Sequence, residues 1–377
     1  MKRILVVKLA DLGDLLTATP ALRGLRNGHP TAHIAALVTP SSAAILRGST
    51  AVDELIPFDK ARFDRPVDAA GSLPAAVALV RRLRAGRWDA VALFHHLTTP
   101  FGIAKYALLC LGSGAPTRAG LDNGRGWFLT RAARDDGFGA RHEVDYWLSV
   151  ATTLGGRNEH PRLELTLADA DRAWARGALG RLGSEGAGWA MIHPGSGAFS
   201  LARRWPAERF GAVADGLAEE HGLRPIILHG PAPGEQEVAE RVARAACRPV
   251  ELLGPTPSPN ALAALLERAR LFVGNDSGIM HLAAAVETPV VAVFGPSNDR
   301  AWGPYPPQAP RHAVVREALA CAPCIHRGHS FGTPQGCPAR TCLDLIEPER
   351  VLAAARRVLA SVSHGVGGGR ALGAQAS

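Results

Sequence analysis

The sequence predicts an α/β protein made of two doubly wound halves, each a parallel sheet with helices on both faces, that meet across a cleft. Three observations predict it. Short continuous apolar runs alternate with helix-period segments along most of the chain, the pattern of strands buried on both faces. The alternation weakens once, between about 160 and 188, in the polar stretch LADADRAWARGALGRLGSEGAG, and then restarts. With 377 residues, 47% of them apolar, the chain is long enough for two separate cores.

The elements follow in order. ILVV at 4–7 is a buried strand, followed by a glycine-containing turn and a helix over 15–27. Strands are expected at 33–38, 52–58 and 89–96, with a helix at 73–85 before the last. After the break, strands are expected at 190–193, 225–230, at ELLG, at 271–276 and at 290–295. Helices separate them at 208–222, 235–246, ALAALLERA and HLAAAVE, and a final helix covers 348–361. The glycine-rich end, HGVGGGRALGAQAS, reads as disordered.

Composition narrows the class. Only four apolar residues separate the basic start from Lys8, too few for a signal peptide or a membrane span, so the protein is expected to be cytoplasmic. The formal charge of +8 is compatible with an anionic partner. The basic residues are scattered, only four of the 42 are lysines, and no Lys/Arg block or interleaved aromatic motif marks a nucleic-acid binder. A dinucleotide-binding turn would need G-x-G-x-x-G after the first strand, where this chain has L-A-D-L-G-D.

Three constellations carry chemistry, each where a strand turns into a helix. In KLADLGDLLTATP, Lys8 to Pro20, Asp14 sits at a helix start facing the cleft and can accept a proton from a hydroxyl, or can cap the helix. Asp11 competes for the same role, and Gly13 and Asp11 are the candidate acceptor contacts. In HPGSG, His193 to Gly197, followed by RRWP, Arg203 to Pro206, backbone amides and a nearby cation can hold a diphosphate. In GNDSGIMH, Gly274 to His281, helix amides can meet a phosphate and Asp276 can orient a sugar hydroxyl. Ser277, Gly278 and His281 share one side of that helix.

Taken together, K-x4-G-D-x5-P, H-P-G-S with R-R-W-P, G-P-x-x-G-E at 230–235, and G-N-D-S-G-x-x-H with F-G-P-S at 294–297 resemble the ADP-heptose:lipopolysaccharide heptosyltransferases, glycosyltransferase family nine. The motifs occur in the family's order over residues 1 to about 360. The resemblance implies a GT-B fold: a Rossmann-like acceptor domain at 1–170, a linker at 171–187 and a Rossmann-like nucleotide-sugar domain at 188–346. It implies a C-terminal helix at 347–362 packing back on the first domain, and a tail at 363–377. It implies inverting, metal-independent transfer of a heptose from ADP-heptose to an acceptor hydroxyl, with Asp14 as general base. Gly195, Ser196 and Arg203 would then hold the diphosphate, Arg203 standing where the family usually has a lysine. Glu235 would bind the ribose, Thr256 would line the adenine pocket, and Asp276, Ser277, Gly278 and His281 would meet the sugar and phosphates.

The expected acceptor is a saccharide, lipid-linked as in lipopolysaccharide core assembly, with at most peripheral membrane contact. A natural-product acceptor is the alternative, and a non-catalytic nucleotide-sugar binder a second one. Acceptor choice rests on loops at 39–48, 60–72 and 95–103, with Arg62, Arg65, Arg118 and Arg125 as candidate anion contacts. The cluster C-x2-C-x12-C-x4-C, Cys321, Cys324, Cys337 and Cys342, is close to zinc-ribbon spacing, and structural zinc, free thiols and a disulfide all fit it.

Overall fold

The structure is a computed structural model that describes residues 1–59, 73–183 and 188–366. The expected acceptor loop at 60–72 with Arg62 and Arg65, the end of the expected linker and most of the expected tail lie outside these residues.

The first half runs β1 (Arg3–Lys8), α1 (Leu12–Gly28), β2 (His33–Val38), β3 (Glu54–Pro57), α2 (Leu73–Ala85), β4 (Ala90–Leu93), α3 (Pro100–Gly112), β5 (Thr117–Asp122), β6 (Arg131–Arg134) and α4 (Glu143–Thr153). Its six strands form one parallel sheet in the order β3-β2-β1-β4-β5-β6. β1 is central because every side chain from Ile4 to Val7 is buried, which only a strand covered on both faces can satisfy. α1 and α4 cover one face and α2 and α3 the other. α1 tolerates the buried Pro20 because the hydroxyl of Thr19 donates to the Leu16 carbonyl (2.7 Å), which has lost its helical N–H partner.

The second half runs α5 (Asp169–Arg181), β7 (Trp189–His193), α6 (Ala207–His221), β8 (Arg224–Leu228), α7 (Glu235–Ala245), β9 (Glu251–Leu253), α8 (Pro259–Leu266), β10 (Ala269–Asn275), α9 (Gly278–Ala285), β11 (Val290–Phe294), α10 (Asp299–Trp302) and β12 (His312–Arg316). A short hairpin, β13 (Ile325–Arg327) and β14 (Ser330–Gly332), then α11 (Thr341–Asp344) and α12 (Pro348–Val366) end it. The second parallel sheet has the order β12-β11-β10-β7-β8-β9.

Two boundaries differ from the sequence expectation. Much of the segment expected as a linker, 171–187, is α5, whose Ala175, Ala178 and Leu179 share a core with Ala263 to Leu266 of α8. Arg172 pairs with Glu267 at the end of that helix (3.0 Å). Among the described residues, the C-terminal helix packs on the second domain, where the expectation had it reaching the first. Val351, Leu352, Ala354, Ala355 and Val358 join the core of the second, beside Phe210 and Val213 of α6 and Val291 and Val293 of β11. It also runs on to Val366, into the segment expected as tail.

In each sheet the strand order reverses beside the central strand, between β1 and β4 and between β7 and β10. Loops leaving the carboxyl ends of those strands diverge there and open a crevice. The two crevices face each other.

Candidate functional site

Between them lies a cavity of about 520 Å³. Four loops at the two reversal points line it: Lys8 to Asp14 after β1, His95 and His96 after β4, Ser196 to Phe199 after β7, and Asp276 to Ser277 after β10. Of the residues chosen from sequence, Asp11, Gly13, Asp14, Ser196, Arg203, Asp276, Ser277, Gly278 and His281 all reach this cavity.

On the second-domain side, Asn275 fixes the frame. Its amide donates to the Pro194 carbonyl (2.7 Å) and its oxygen accepts from the Trp205 N–H (3.1 Å), tying the ends of two loops to one strand end. Arg203 then bridges what remains. Its guanidinium donates to the Ser196 carbonyl (2.6 Å) and to Oδ2 of Asp276 (3.1 Å), and lies over the ring of Phe199. The pair is nearly sealed from solvent, where a charge without its partner is costly. Behind this layer, Glu235 at the start of α7 accepts from the amides of Gly197 (3.0 Å) and Gly230 (2.8 Å) and sits 3.6 Å from Nε2 of His193. Burial opposes its charge, but His193 and the two amides hold the carboxyl down at about 2.

The two helix starts meet at glycines. A Cβ on Gly13 would lie 2.9 Å from the Gly278 Cα, and one on Gly278 would lie 3.3 Å from the Gly13 nitrogen. Only residues without a side chain let the first turns of α1 and α9 approach so closely. This brings Asp14, half-buried in the first turn of α1, into the same cavity as Ser277 and Gly278 at the start of α9. Asp11 holds the N-cap position without a side-chain cap bond, and Asp14 lies inside the helix. His281 stands beside Gly13. Burial keeps it neutral, with its imidazole pushed down to about 4, and its Nδ1 has no hydrogen-bond partner among the described residues.

A second, mostly apolar cavity of about 280 Å³ lies on the far side of α9. Leu253, Pro255, Pro257, Ile279 and Leu282 line it, together with His229 and Thr256. Leu12 borders both cavities. The start of α9 therefore separates an apolar slot from the polar cleft.

The first-domain wall holds groups that were not chosen from sequence. His96, at the carboxyl end of β4, is buried between Asp135 (3.0 Å) and Glu143 (3.1 Å). Burial works against its charge, yet Glu143 and Asp135 outweigh it and raise the imidazole to about 9, so it is a buried cation at neutral pH. Next to it, His95 accepts from the Leu9 amide (2.7 Å) and meets the Tyr106 hydroxyl (3.0 Å). Lys8 lies over the Trp147 ring. The two histidines end an apolar strand, and polar residues at the carboxyl end of a parallel strand are the signal that could have found them.

Three chosen residues stand elsewhere. Gly195 and Glu235 lie behind the cleft wall, and a Cβ on Gly195 would meet the Glu235 carboxylate at 2.5 Å. Each Glu235 oxygen accepts from one backbone amide, that of Gly197 or of Gly230, and keeps further acceptor capacity. Thr256 lines the apolar slot, where its hydroxyl donates to the Ser258 carbonyl (3.0 Å). The four clustered cysteines frame the β13–β14 hairpin, which reaches the first domain through the Phe138 N–H bond to the Gly328 carbonyl (2.7 Å) and through His329 with the Asp135 carbonyl (3.0 Å). Cys321 and Cys337 are exposed and Cys342 is buried. Among the described residues, no group of three or more His, Cys, Asp or Glu side chains is placed to hold a metal ion, so the zinc expectation finds no support.

The family model for glycosyltransferase family 9 (heptosyltransferase) matches residues 76–334, well over half of the sequence. The chain belongs to this family. Lipopolysaccharide heptosyltransferase 3 of Escherichia coli K12 is 28% identical over 304 residues, covering 78% of this chain and 82% of that protein. A solved family 9 glycosyltransferase from Veillonella parvula superposes with a TM-score of 0.76 at 26% identity, covering 96% of this chain and 98% of that one. The E. coli heptosyltransferase WaaC with ADP gives 0.63 at 25%, covering 83% and 92%. The two facing sheets are the GT-B fold, and this family 9 member is a glycosyltransferase. No described helix is long and apolar enough to cross a membrane.

Proposed function

We propose that this family 9 enzyme transfers a heptose from ADP-heptose to a hydroxyl of a lipopolysaccharide core saccharide, with inversion at the anomeric carbon. The observation that carries the reading is the position of α9 between the two cavities. An adenine ring suits the apolar slot beside Thr256, and the diphosphate then lies at the open amides of Ser277 and Gly278. The sugar is left in the cleft facing Asp14. Asp14 takes the proton of the acceptor hydroxyl as its oxygen attacks, and the bond from the anomeric carbon to the diphosphate oxygen breaks on the opposite face. Arg203 and the helix amides meet the charge that develops on the departing ADP, and donors fixed before the reaction need no reorganisation as that charge appears. Neutral His281 can donate to the same phosphate or to the sugar.

The ADP in the WaaC structure and the lipopolysaccharide substrates in the relatives' names support the donor and acceptor class. The test is Asp14→Ala, assayed by mass spectrometry with ADP-heptose and a delipidated core oligosaccharide lacking heptose. Transfer should fall at least ~100-fold while calorimetric ADP affinity stays near wild type. Undiminished turnover would move the base to another group, with Asp11 next in line. A wild-type enzyme inert with this donor and acceptor pair would overturn the reading.

A further inference from the structure

The helical layer over the outer face of the first sheet presents an apolar and basic surface. On α3, Ala104, Leu108 and Leu111 fall on one stripe at i, i+4 and i+7, and Leu108 and Leu111 are 54% and 42% exposed. α2 packs beside it, since a Cβ on Gly112 would lie 3.1 Å from Val80, and one turn before Val80 on α2 stands Val77, 41% exposed. In the loop after β5, Trp127 is 73% exposed, while its neighbour Phe128 is buried in the same cluster as Ala107 and Leu109 of α3. A large ring held outward by a buried neighbour is not a scattered surface residue.

The charges on these two helices have one sign. Neither α2 nor α3 contains an Asp or Glu. Arg81, Arg82 and Arg84 are exposed on α2, and among the described residues only Arg82 approaches a carboxylate, Glu54, at 4.0 Å. Arg125 is exposed two residues before Trp127 and donates to the Thr98 carbonyl just ahead of α3 (2.7 Å).

We infer that this layer docks on the surface of an anionic lipid bilayer, with Trp127, Leu108, Leu111 and Val77 entering the headgroup boundary and the arginines meeting lipid phosphates. Amphipathic helices with arginines beside apolar residues bind in this way, by apolar burial added to attraction for anionic headgroups. A protein partner for this surface would have to supply acidic groups against every arginine, whereas a bilayer supplies a continuous sheet of them. The first turns of α3, through Phe101, Lys105 and Tyr106, line the cleft. One helix thus runs from the first-domain wall of the site to the docking face, so a saccharide tethered to the bilayer is presented beside the cleft.

The experiment is co-sedimentation of the full chain with vesicles of phosphatidylethanolamine and phosphatidylglycerol, against phosphatidylcholine alone. Wild type should sediment with the anionic vesicles, weaken in high salt, and show a tryptophan emission shift that Trp127→Ala removes. The double variant Leu108→Glu, Leu111→Glu should bind at least ~10-fold more weakly, since two large apolar groups are withdrawn from the boundary. Its ADP affinity and transfer to a delipidated oligosaccharide, measured without vesicles, should be unchanged. If the double variant fails to fold, Trp127→Ala, on an exposed loop, makes the same comparison of bound fractions. The inference is overturned by wild type that ignores anionic vesicles or binds phosphatidylcholine equally, or by variants that bind like wild type. It is overturned too if the double variant separates a dimer on gel filtration without altering vesicle binding, because a second copy then covers the face. Loss of transfer with vesicle binding intact sinks the proposed reaction instead.

Discussion

Arg203 satisfies two acceptors at once, the Ser196 carbonyl and the Asp276 carboxylate, so its removal has two consequences. Arg203→Ala leaves Asp276 buried without its cation and removes one of the ties on the Ser196 loop, which Glu235 still holds through the Gly197 amide. ADP affinity by calorimetry should fall by ~2–3 kcal/mol, the scale of buried charge-assisted bonds, and the melting temperature should fall with it. Arg203→Lys should recover only part, because a single ammonium cannot reproduce the two-way fork. Unchanged ADP affinity in the alanine variant would remove Arg203 from the donor site. Glu235 has a structural duty that a residue-level reading of sequence does not contain. It follows a glycine at a helix start, and its oxygens hold the amides of Gly197 and Gly230. Glu235→Gln keeps one good acceptor of the two. It should raise the donor KM with little change in kcat, since the loop it shapes contacts ground state and transition state alike. A fall in kcat at constant KM would contradict that.

At the scale of elements, the contact of α1 with α9 decides the geometry of the cleft, and it depends on Gly13 and Gly278. Helix propensity alone makes Gly13→Ala favourable by ~0.5–1 kcal/mol. The contact makes the opposite prediction for function: the new Cβ would stand 2.9 Å from the Gly278 Cα, so the helix starts must separate. Shifting Asp14 away from a sugar held at α9 should lower kcat at least ~10-fold with ADP affinity preserved, because displacement of about 1 Å in the reacting groups can cost ~100-fold. A kcat equal to wild type would show that the helices part without cost. The same elements show how much of the fold was legible. The strands β1, β2, β4, β7, β8, β10 and β11 were readable because each is a continuous apolar run, and the three strand-to-helix motifs stand at the ends of β1, β7 and β10. α5 was not. Its sequence is polar, with only Ala175, Ala178 and Leu179 buried, and such small contacts leave little periodic signal. β6, RAAR, is exposed at three of its four positions, both arginines and Ala132, and the hairpin at 325–332 is shaped by contacts with the first domain rather than by local pattern. His96 was hidden for a related reason: its charge is set by Asp135 and Glu143, 39 and 47 residues away in sequence.

For the whole molecule, the buried histidines set the pH range of stability from both sides. Burial holds His281, His312 and His326 neutral, each near 4, well below the ordinary value of about 6.5. The unfolded chain takes up these protons as pH falls through 6.5 and the folded chain does not, so stability is present above 6.5 and is lost between about 6.5 and 4. Each such group costs up to ~1.4 kcal/mol per pH unit over that interval. Glu235, near 2 when folded, adds its own loss below about 4.5. His96 acts in the other direction. Its folded value of about 9 lies above the unfolded one, so its contribution is complete below 6.5 and is lost as pH rises through 9, ~3 kcal/mol in all. Above that, buried Cys110, Tyr146 and Tyr305, all raised by burial, continue the decline, because their unfolded counterparts ionise first. The two limbs meet near pH 6.5, where the melting temperature should be highest, although the chain's basic composition puts its isoelectric point near 9.6. Thermal unfolding followed from pH 4 to 9.5 checks this, and His96→Gln assigns the alkaline limb. That variant leaves Asp135 and Glu143 buried without their cation, so it should be less stable at pH 7 by several kcal/mol. Its loss of stability between pH 7 and 9 should also be shallower than in wild type. An unchanged alkaline slope would mean that the imidazole between the two carboxylates is not the group that titrates there.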